Sequence, residues 1–147
     1  KIMILCELEK TDLHLKAKAY GAFDMLNMKI RFMEPHDHDN QLAFVSHLSH
    51  ISSFMLGKTV LDKMEDDKNI LDMAGSGFAS TVRLAKSSPA MWAPILEENK
   101  ENVLEALNGY INNLVDFRDE LTSDKYEVLF QKMKTINQIG NILALKE

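Results

Sequence analysis

The sequence predicts a mainly α-helical protein preceded by a short β-α-β unit, and three observations carry that expectation. From about residue 36 onward, apolar side chains recur every three or four positions, the period of helices packed on one side. Residues 1–34 read differently: the apolar run Ile2-Met3-Ile4-Leu5-Cys6, a helical stretch, then the short run Lys29-Ile30-Arg31-Phe32-Met33. Pro35 separates the two patterns.

The first run is the kind that fills a buried parallel strand. After it, Thr11 or Asp12 can cap a helix carrying Leu13, Ala17, Tyr20, Ala22, Phe23 and Leu26. Two strands and a helix cannot bury a sheet face alone. Residues 1–35 are therefore expected to be the last unit of a sheet whose other strands lie outside this chain, with a domain boundary near residue 36.

Beyond Pro35, the stretch His36-Asp37-His38-Asp39-Asn40 is expected to supply the N-cap and first-turn acids of a long helix. That helix carries Leu42, Val45, Leu48, Phe54, Met55 and Val60, too apolar around its circumference for a surface helix, so much of it is expected to be buried. Gly57 within it signals close packing or a bend. A charged loop from Asp62 to Asn69 leads to Gly75-Ser76-Gly77, where the backbone can take conformations closed to other residues, and to a short helix over 78–86.

Ser88 and Pro89 mark a restart as N-cap and first helical residue, and Pro94 predicts a kink or a second start. Val103, Leu107, Ile111 and Leu114 then form a stripe suited to helix pairing, ending in the solvated Asp116, Arg118, Asp119 and Glu120. From Asp124 the same style returns with Val128, Leu129, Met133, Ile136 and Ile139, interrupted by Gly140.

A chain of 147 residues that is 46% hydrophobic can bury one sizeable core. Its 22 acidic residues outnumber its 17 lysines and arginines, giving a net charge of -5. The overall field repels phosphate backbones and anionic lipid, so nucleic acid and membranes are not expected partners. An anionic ligand would have to be met by a few local cations. The single cysteine, Cys6, cannot form an internal disulfide, and with no signal peptide a reducing cytoplasm is expected. No apolar stretch approaches the ~20 residues that cross a bilayer.

Four of the five histidines are His36, His38, His47 and His50, and the last two share a helix face at i, i+3. No C-x-x-C, H-E-x-x-H or E-x-x-H pattern accompanies them, so no metal site is expected. His36 and His38 read as solvated residues at a helix start. For His47 and His50 the downstream Gly75-Ser76-Gly77-Phe78, Arg83 and Trp92 add a backbone nest, a cation and an aromatic wall, which together suit a small anionic ring compound. Singly, each is ordinary: a turn, a surface arginine, a core tryptophan. A rival reading from another class is a helical interaction or assembly module without a ligand, suggested by the apolar stripes at 103–115 and 128–139.

In order along the chain, His38-Asp39, Val45-Ser46-His47-Leu48-Ser49-His50, Ala74-Gly75-Ser76-Gly77-Phe78, Thr81-Val82-Arg83-Leu84-Ala85 and Pro89-Ala90-Met91-Trp92 resemble the motif succession of prephenate dehydrogenases. Asn99 to Leu107 resembles that family's dimer-forming helix, so the similarity covers most of residues 1–121. The sequence departs from the family at Ser76, where a glycine is usual, and at Ser80 and Val82, where Asp and Thr are usual.

The resemblance implies a helical substrate-binding and dimerisation domain over 36–147, of the phosphogluconate-dehydrogenase C-terminal-like type, after a remnant of a Rossmann-like sheet. It implies oxidative decarboxylation of prephenate to 4-hydroxyphenylpyruvate in tyrosine biosynthesis, with a homodimer as the working form. Arg83 would clamp a substrate carboxylate, His50 would hydrogen-bond the substrate, Trp92 would line the pocket with His47, and Gly75 and Gly77 would let backbone approach. Arogenate dehydrogenase is the near alternative. NAD or NADP would be bound mainly outside this chain, because no G-x-G-x-x-G follows a strand here and no catalytic residue is expected within it. The chain alone is therefore expected to be inactive.

Overall fold

The computed structural model describes residues 1–145. The chain opens with β1 (Ile2–Leu5), α1 (Leu13–Met25) and β2 (Lys29–Phe32). The strands pair in parallel, from Ile2 with Lys29 to Leu5 with Phe32, so α1 is the crossover the β-α-β pattern requires. Asp12 is the N-cap: its carboxylate accepts from the N–H groups of His14 at 2.9 Å and Leu15 at 3.3 Å. No residue of β1, α1 or β2 is fully buried, and Ile2 and Phe32 are exposed. The expected buried strand is thus half-buried at most here, because a two-stranded sheet leaves its faces open.

Pro35, expected to divide the two patterns, stands between them by starting a helix. It occupies the first position of α2 (Pro35–Leu42), where its fixed φ and missing N–H cost nothing. Glu34 is the N-cap residue without a side-chain bond, so the His36-to-Asn40 stretch lies inside the helix and does not cap it; Asp37 alone supplies an acid to the first turn. A five-residue π turn (Ala43–His47) follows and leads without a break into α3 (Leu48–Met64), since Leu42, Ala43, His47 and Leu48 all keep right-handed helical dihedrals. The periodicity did not announce the π turn, which widens the helix locally and re-aims the side chains after it.

The buried face of this long helix is small and polar. Ala43, His47 and Ser53 are its buried residues, whereas Val45, Met55 and Leu61 are exposed. The expectation of a largely buried apolar helix therefore fails for the single chain: small residues permit close approach, and the bulky ones face outward. The helix α3 continues through Gly57, and a Cβ there would sit 3.9 Å from the Ala85 Cβ, an ordinary contact.

Beyond a 3-10 turn (Ile70–Met73), the expected helix over 78–86 is two pieces, α4 (Ser76–Thr81) and a 3-10 turn (Arg83–Lys86). Then comes α5 (Pro89–Glu98), with Ser88 at the N-cap making no side-chain bond. Pro94 neither kinks the element into two nor restarts it, because α5 runs through it and the next helix begins only after Asn99. One missing backbone bond is tolerated in a short helix whose indole is buried.

The remaining elements are α6 (Lys100–Thr122), α7 (Tyr126–Ile136) and α8 (Gln138–Ala144). The chain folds as two compact units, residues 1–104 and 105–147. Within the second, the turn from α6 to α7 has Asp124 at φ 54°, and the Lys125 N–H donates to the Glu120 carbonyl at 3.0 Å. Glu120, expected in a solvated end, is instead mostly buried and holds Lys132 Nζ at 2.6 Å. Ala106 and Leu129 are buried, while Ile111, Leu114, Val128, Phe130, Met133 and Ile136 are exposed.

Candidate functional site

Three of the residues singled out by sequence meet around one indole. Trp92, near the start of α5, is 7% exposed. His50 of α3 lies on its face, with ring centroids 3.7 Å apart and an interplanar angle of 28°. His47, which closes the π turn, meets it edge-on at 5.7 Å and 79°. One turn of helix presents both imidazoles to the same partner, one stacked and one T-shaped, the two arrangements that suit a ring quadrupole.

Their hydrogen bonds assign the tautomers. His50 Nδ1 lies 3.0 Å from the Ser46 carbonyl oxygen, which can only accept, so Nδ1 carries the proton and Nε2 keeps a lone pair in the neutral ring. His47 is the reverse. Asn99 Nδ2 donates to the Asp39 carbonyl at 2.7 Å, which fixes the nitrogen end of that amide, and its second hydrogen reaches His47 Nδ1 at 3.3 Å. His47 Nδ1 therefore accepts, and its proton sits on Nε2. Burial pushes the His47 pKa below the usual 6.5, aided by His50 and His38 and opposed by the Asp39 carboxylate. The ring stays neutral at physiological pH.

The Trp92 indole Nε1 is buried and has no partner among the described residues. A buried N–H without an acceptor is costly, and such a group is accounted for by a water or a ligand atom.

Arg83 stands on the exposed 3-10 turn after α4 and makes no ion pair among the described residues. Its segment is anchored by Ser53, which is 1% exposed. Ser53 Oγ donates to the Thr81 carbonyl at 3.0 Å and accepts from the Ala85 N–H at 3.0 Å. Ser53 and His50 are three residues apart on α3, so this anchor brings the Arg83 turn to the helix face that carries His50.

Gly75 and Gly77 do not join the cluster. Neither has positive φ, and a Cβ on either would meet nothing within 4 Å. The expected special backbone conformation is absent: Gly75 is simply the extended N-cap of α4. Its neighbourhood is open surface, which leaves room for another molecule and demands no glycine for the fold itself. His36 and His38 sit beside Asp37 and Asp39 near the start of α2, at 3.8 Å and 2.9 Å respectively. Among the described residues no group of three or more His, Cys, Asp or Glu could hold a metal ion.

An open cleft of about 430 Å³ lies beside the cluster, lined by His38, Asp39, Leu42, His47, Pro94, Ile95, Glu98 and Asn99. Chemically the region offers an aromatic wall, two imidazoles hydrogen-bonded through Nδ1 in opposite senses and a guanidinium without an ion pair among the described residues. Groups of these kinds are suited to binding and orienting a ligand and include no nucleophile beside a base. Sequence reasoning missed Asn99 and Ser53. The available signal was that each is a polar residue among apolar neighbours at a helix junction or on a packed face.

The turn after β1 tests whether a dinucleotide fits here. It carries Glu7, Leu8, Glu9 and Lys10, with Glu7 at φ 51°, and has no glycine through which a pyrophosphate could approach the backbone. These residues do not form a nucleotide cradle.

A parallel β-α-β edge leading into helices that hold an imidazole–indole wall defines a mainly helical protein with a short parallel sheet at its start. Residues 34–135 match the family model described as prephenate dehydrogenase, dimerization domain, and the chain belongs to that family. It is 27% identical over 148 residues to the prephenate dehydrogenase of Bacillus subtilis, covering 98% of this chain and 39% of that protein. The structure of prephenate dehydrogenase from A. aeolicus in complex with hydroxyphenyl propionate and NAD+ superposes with a TM-score of 0.81 at 30% identity, over 93% of this chain and 48% of that one. Synechocystis arogenate dehydrogenase gives 0.75 at 26% identity, over 92% and 50%. The chain thus spans half or less of the length of the relatives it matches. No helix among the described residues is long and apolar enough to cross a membrane.

Proposed function

We propose that this chain supplies the substrate wall and dimer interface of an NAD(P)-dependent prephenate dehydrogenase, the enzyme that converts prephenate to 4-hydroxyphenylpyruvate and carbon dioxide in tyrosine biosynthesis. The observation that carries the reading is the His50–Trp92 stack beside the Ser53-anchored turn of Arg83. In this reading Trp92 and His47 line the pocket, the lone pair of His50 Nε2 accepts from the substrate, and Arg83 forks onto a carboxylate. Gly75 and Gly77 leave the surface open to the substrate's approach. Residues 1–35 are the terminal unit of the nucleotide-binding sheet and 36–147 the substrate and dimer domain. NAD or NADP accepts the hydride and is held mainly by residues outside this chain; its binding half also provides the acid–base group. The working form is a cytoplasmic homodimer.

A second reading, arogenate dehydrogenase, is favoured by the Synechocystis neighbour. The two substrates differ only in an amino against a keto group on the side chain.

The test is steady-state kinetics of the enzyme comprising this chain and its nucleotide-binding half, with prephenate and arogenate compared. Arg83→Ala should raise KM for the preferred substrate by roughly one to two orders of magnitude, the loss of a charge-assisted pair worth about 1.5–3 kcal/mol. An unchanged KM would remove Arg83 from the site. Turnover of neither substrate would instead favour a helical assembly module.

A further inference from the structure

The buried amide of Asn99 is absorbed neither by the substrate wall nor by the helix ends. It sits in the joint between α5 and α6, 9% exposed. Its side-chain bonds reach across the fold. Nδ2 donates to the Asp39 carbonyl of α2 at 2.7 Å and to His47 Nδ1 at 3.3 Å, while Oδ1 accepts from Asn102 Nδ2 at 2.7 Å. Asn102 Oδ1 in turn accepts from Asn40 Nδ2 at 3.4 Å. Four side chains and one backbone carbonyl therefore form a directional relay in which each amide nitrogen has an acceptor. The Asp39 carbonyl cannot donate, and a flipped amide would set Oδ1 against that oxygen and Nδ2 against the Asn102 amide nitrogen, so the observed orientation is the one in which donors meet acceptors.

We propose that Asn99 is the positioning residue of the His47–Trp92–His50 wall, holding His47 as its Nε2–H tautomer and thereby setting the ring edge against which Trp92 is packed. The proposal rests on the reading of that wall as the substrate surface. Its structural half stands apart from that reading. His47 touches the indole edge-on and His50 lies on the indole's face, so a turn of the His47 ring is felt by both. The charged and titratable groups around His47 are Asp39 and His38 on α2, His50 on α3 and, lining the same cleft, Glu98 on α5, and none of them is hydrogen-bonded to its Nδ1 among the described residues.

Asn99→Asp is the informative substitution, being nearly isosteric while replacing the donor by an acceptor. A carboxylate there repels the Asp39 carbonyl and demands a proton on His47 Nδ1, so the ring either changes tautomer or, keeping its Nε2 proton, becomes a cation stabilised by the new charge. Asn99→Gln retains both donors one methylene further out and should restore part of the native behaviour.

The experiment is nitrogen-15 NMR of the histidine side chains in this chain, followed across pH for the native protein, Asn99→Asp and Asn99→Gln. The native His47 should show the Nε2–H tautomer and titrate below 6.5. Asn99→Asp should move its titration above that value and shift the Trp92 indole N–H resonance, and Asn99→Gln should return both toward native. An Nδ1–H tautomer in the native protein, which no variant is needed to detect, would overturn the proposal. So would an unchanged His47 titration in Asn99→Asp. In the intact dehydrogenase the same Asn99→Asp change should raise KM by roughly tenfold or more with a smaller effect on kcat, as for misplacement of a binding wall. A native enzyme inactive on both substrates would sink the proposed function while leaving the NMR result to decide the role of Asn99.

Discussion

His50 and Trp92 lie face to face with ring centroids 3.7 Å apart, and this contact joins α3 to α5 across 42 residues of sequence. The imidazole is half-buried and the indole is buried beneath it. An aromatic pair of this kind contributes about 0.5–1.5 kcal/mol beyond the area it buries. Its larger role is geometric, since it fixes which edge of each ring remains uncovered.

Trp92→Ala removes both the stacked and the edge-on partner of the two histidines. The variant should lose about 3–5 kcal/mol of stability, read as a lower midpoint in urea denaturation. Trp92→Phe keeps a ring for His50 and discards the unpartnered Nε1–H, so its loss should be clearly smaller. Equal losses in the two variants would mean that the indole nitrogen, not the ring face, matters to the fold.

The neutral state of His47 should appear in the pH dependence of stability. Its folded pKa lies below 6.5, chiefly through burial, so between the two values the unfolded chain binds more protons than the native one. Stability from this group is fully present above 6.5 and is lost as the pH falls from there to the lowered native value. His47→Gln offers Asn99 an acceptor that does not titrate. The urea midpoint should therefore drop less in this variant than in the native chain on acidification, and parallel curves would assign the acid sensitivity to other groups.

Ser53→Ala leaves the Thr81 carbonyl without its side-chain donor and deprives the Ala85 N–H of one of two acceptors, the other being the Val82 carbonyl at 3.0 Å. The cost should be about 1–3 kcal/mol. Hydrogen exchange at Ala85 should accelerate more than exchange elsewhere along α3, and retained protection there would show that Ser53 does not anchor the Arg83 turn.

The outward stripe of α6 includes Ile111 and Leu114, both exposed in the single chain. If a second copy covers this face, the double change Ile111→Asp and Leu114→Asp places two charges in the interface and should convert a dimer to a monomer in sedimentation velocity. A native chain that sediments as a monomer at every concentration would remove the dimer from the proposed function.

Local signals in the sequence were enough for the β-α-β start, a cap at Thr11 or Asp12 and the helical remainder, because alternation of period and capping chemistry act within a few residues. Five ordered motifs were likewise enough to mark the family, and to point at His47, His50 and Trp92 as a group. What lay beyond local signals was everything set by packing between distant segments. Pro35 marked the change of pattern, but that it begins the helix itself, ahead of the expected His36-to-Asn40 cap, was set by the chain's path. The π turn at Ala43–His47 and the small, polar buried face of α3 were hidden because apolar periodicity records which residues could be buried, not which neighbour comes close enough to bury them. Asn99 and Ser53 were hidden for the same reason: their hydrogen bonds span 28 to 60 residues, and a polar side chain gains its meaning from a partner that only the tertiary fold brings within 3.3 Å. The sequence by itself determined the helical class, the family and the residue types available to a ligand. Tertiary structure alone decided which of them meet, in which tautomer, and which glycines do nothing for the fold, because those are properties of distances between segments.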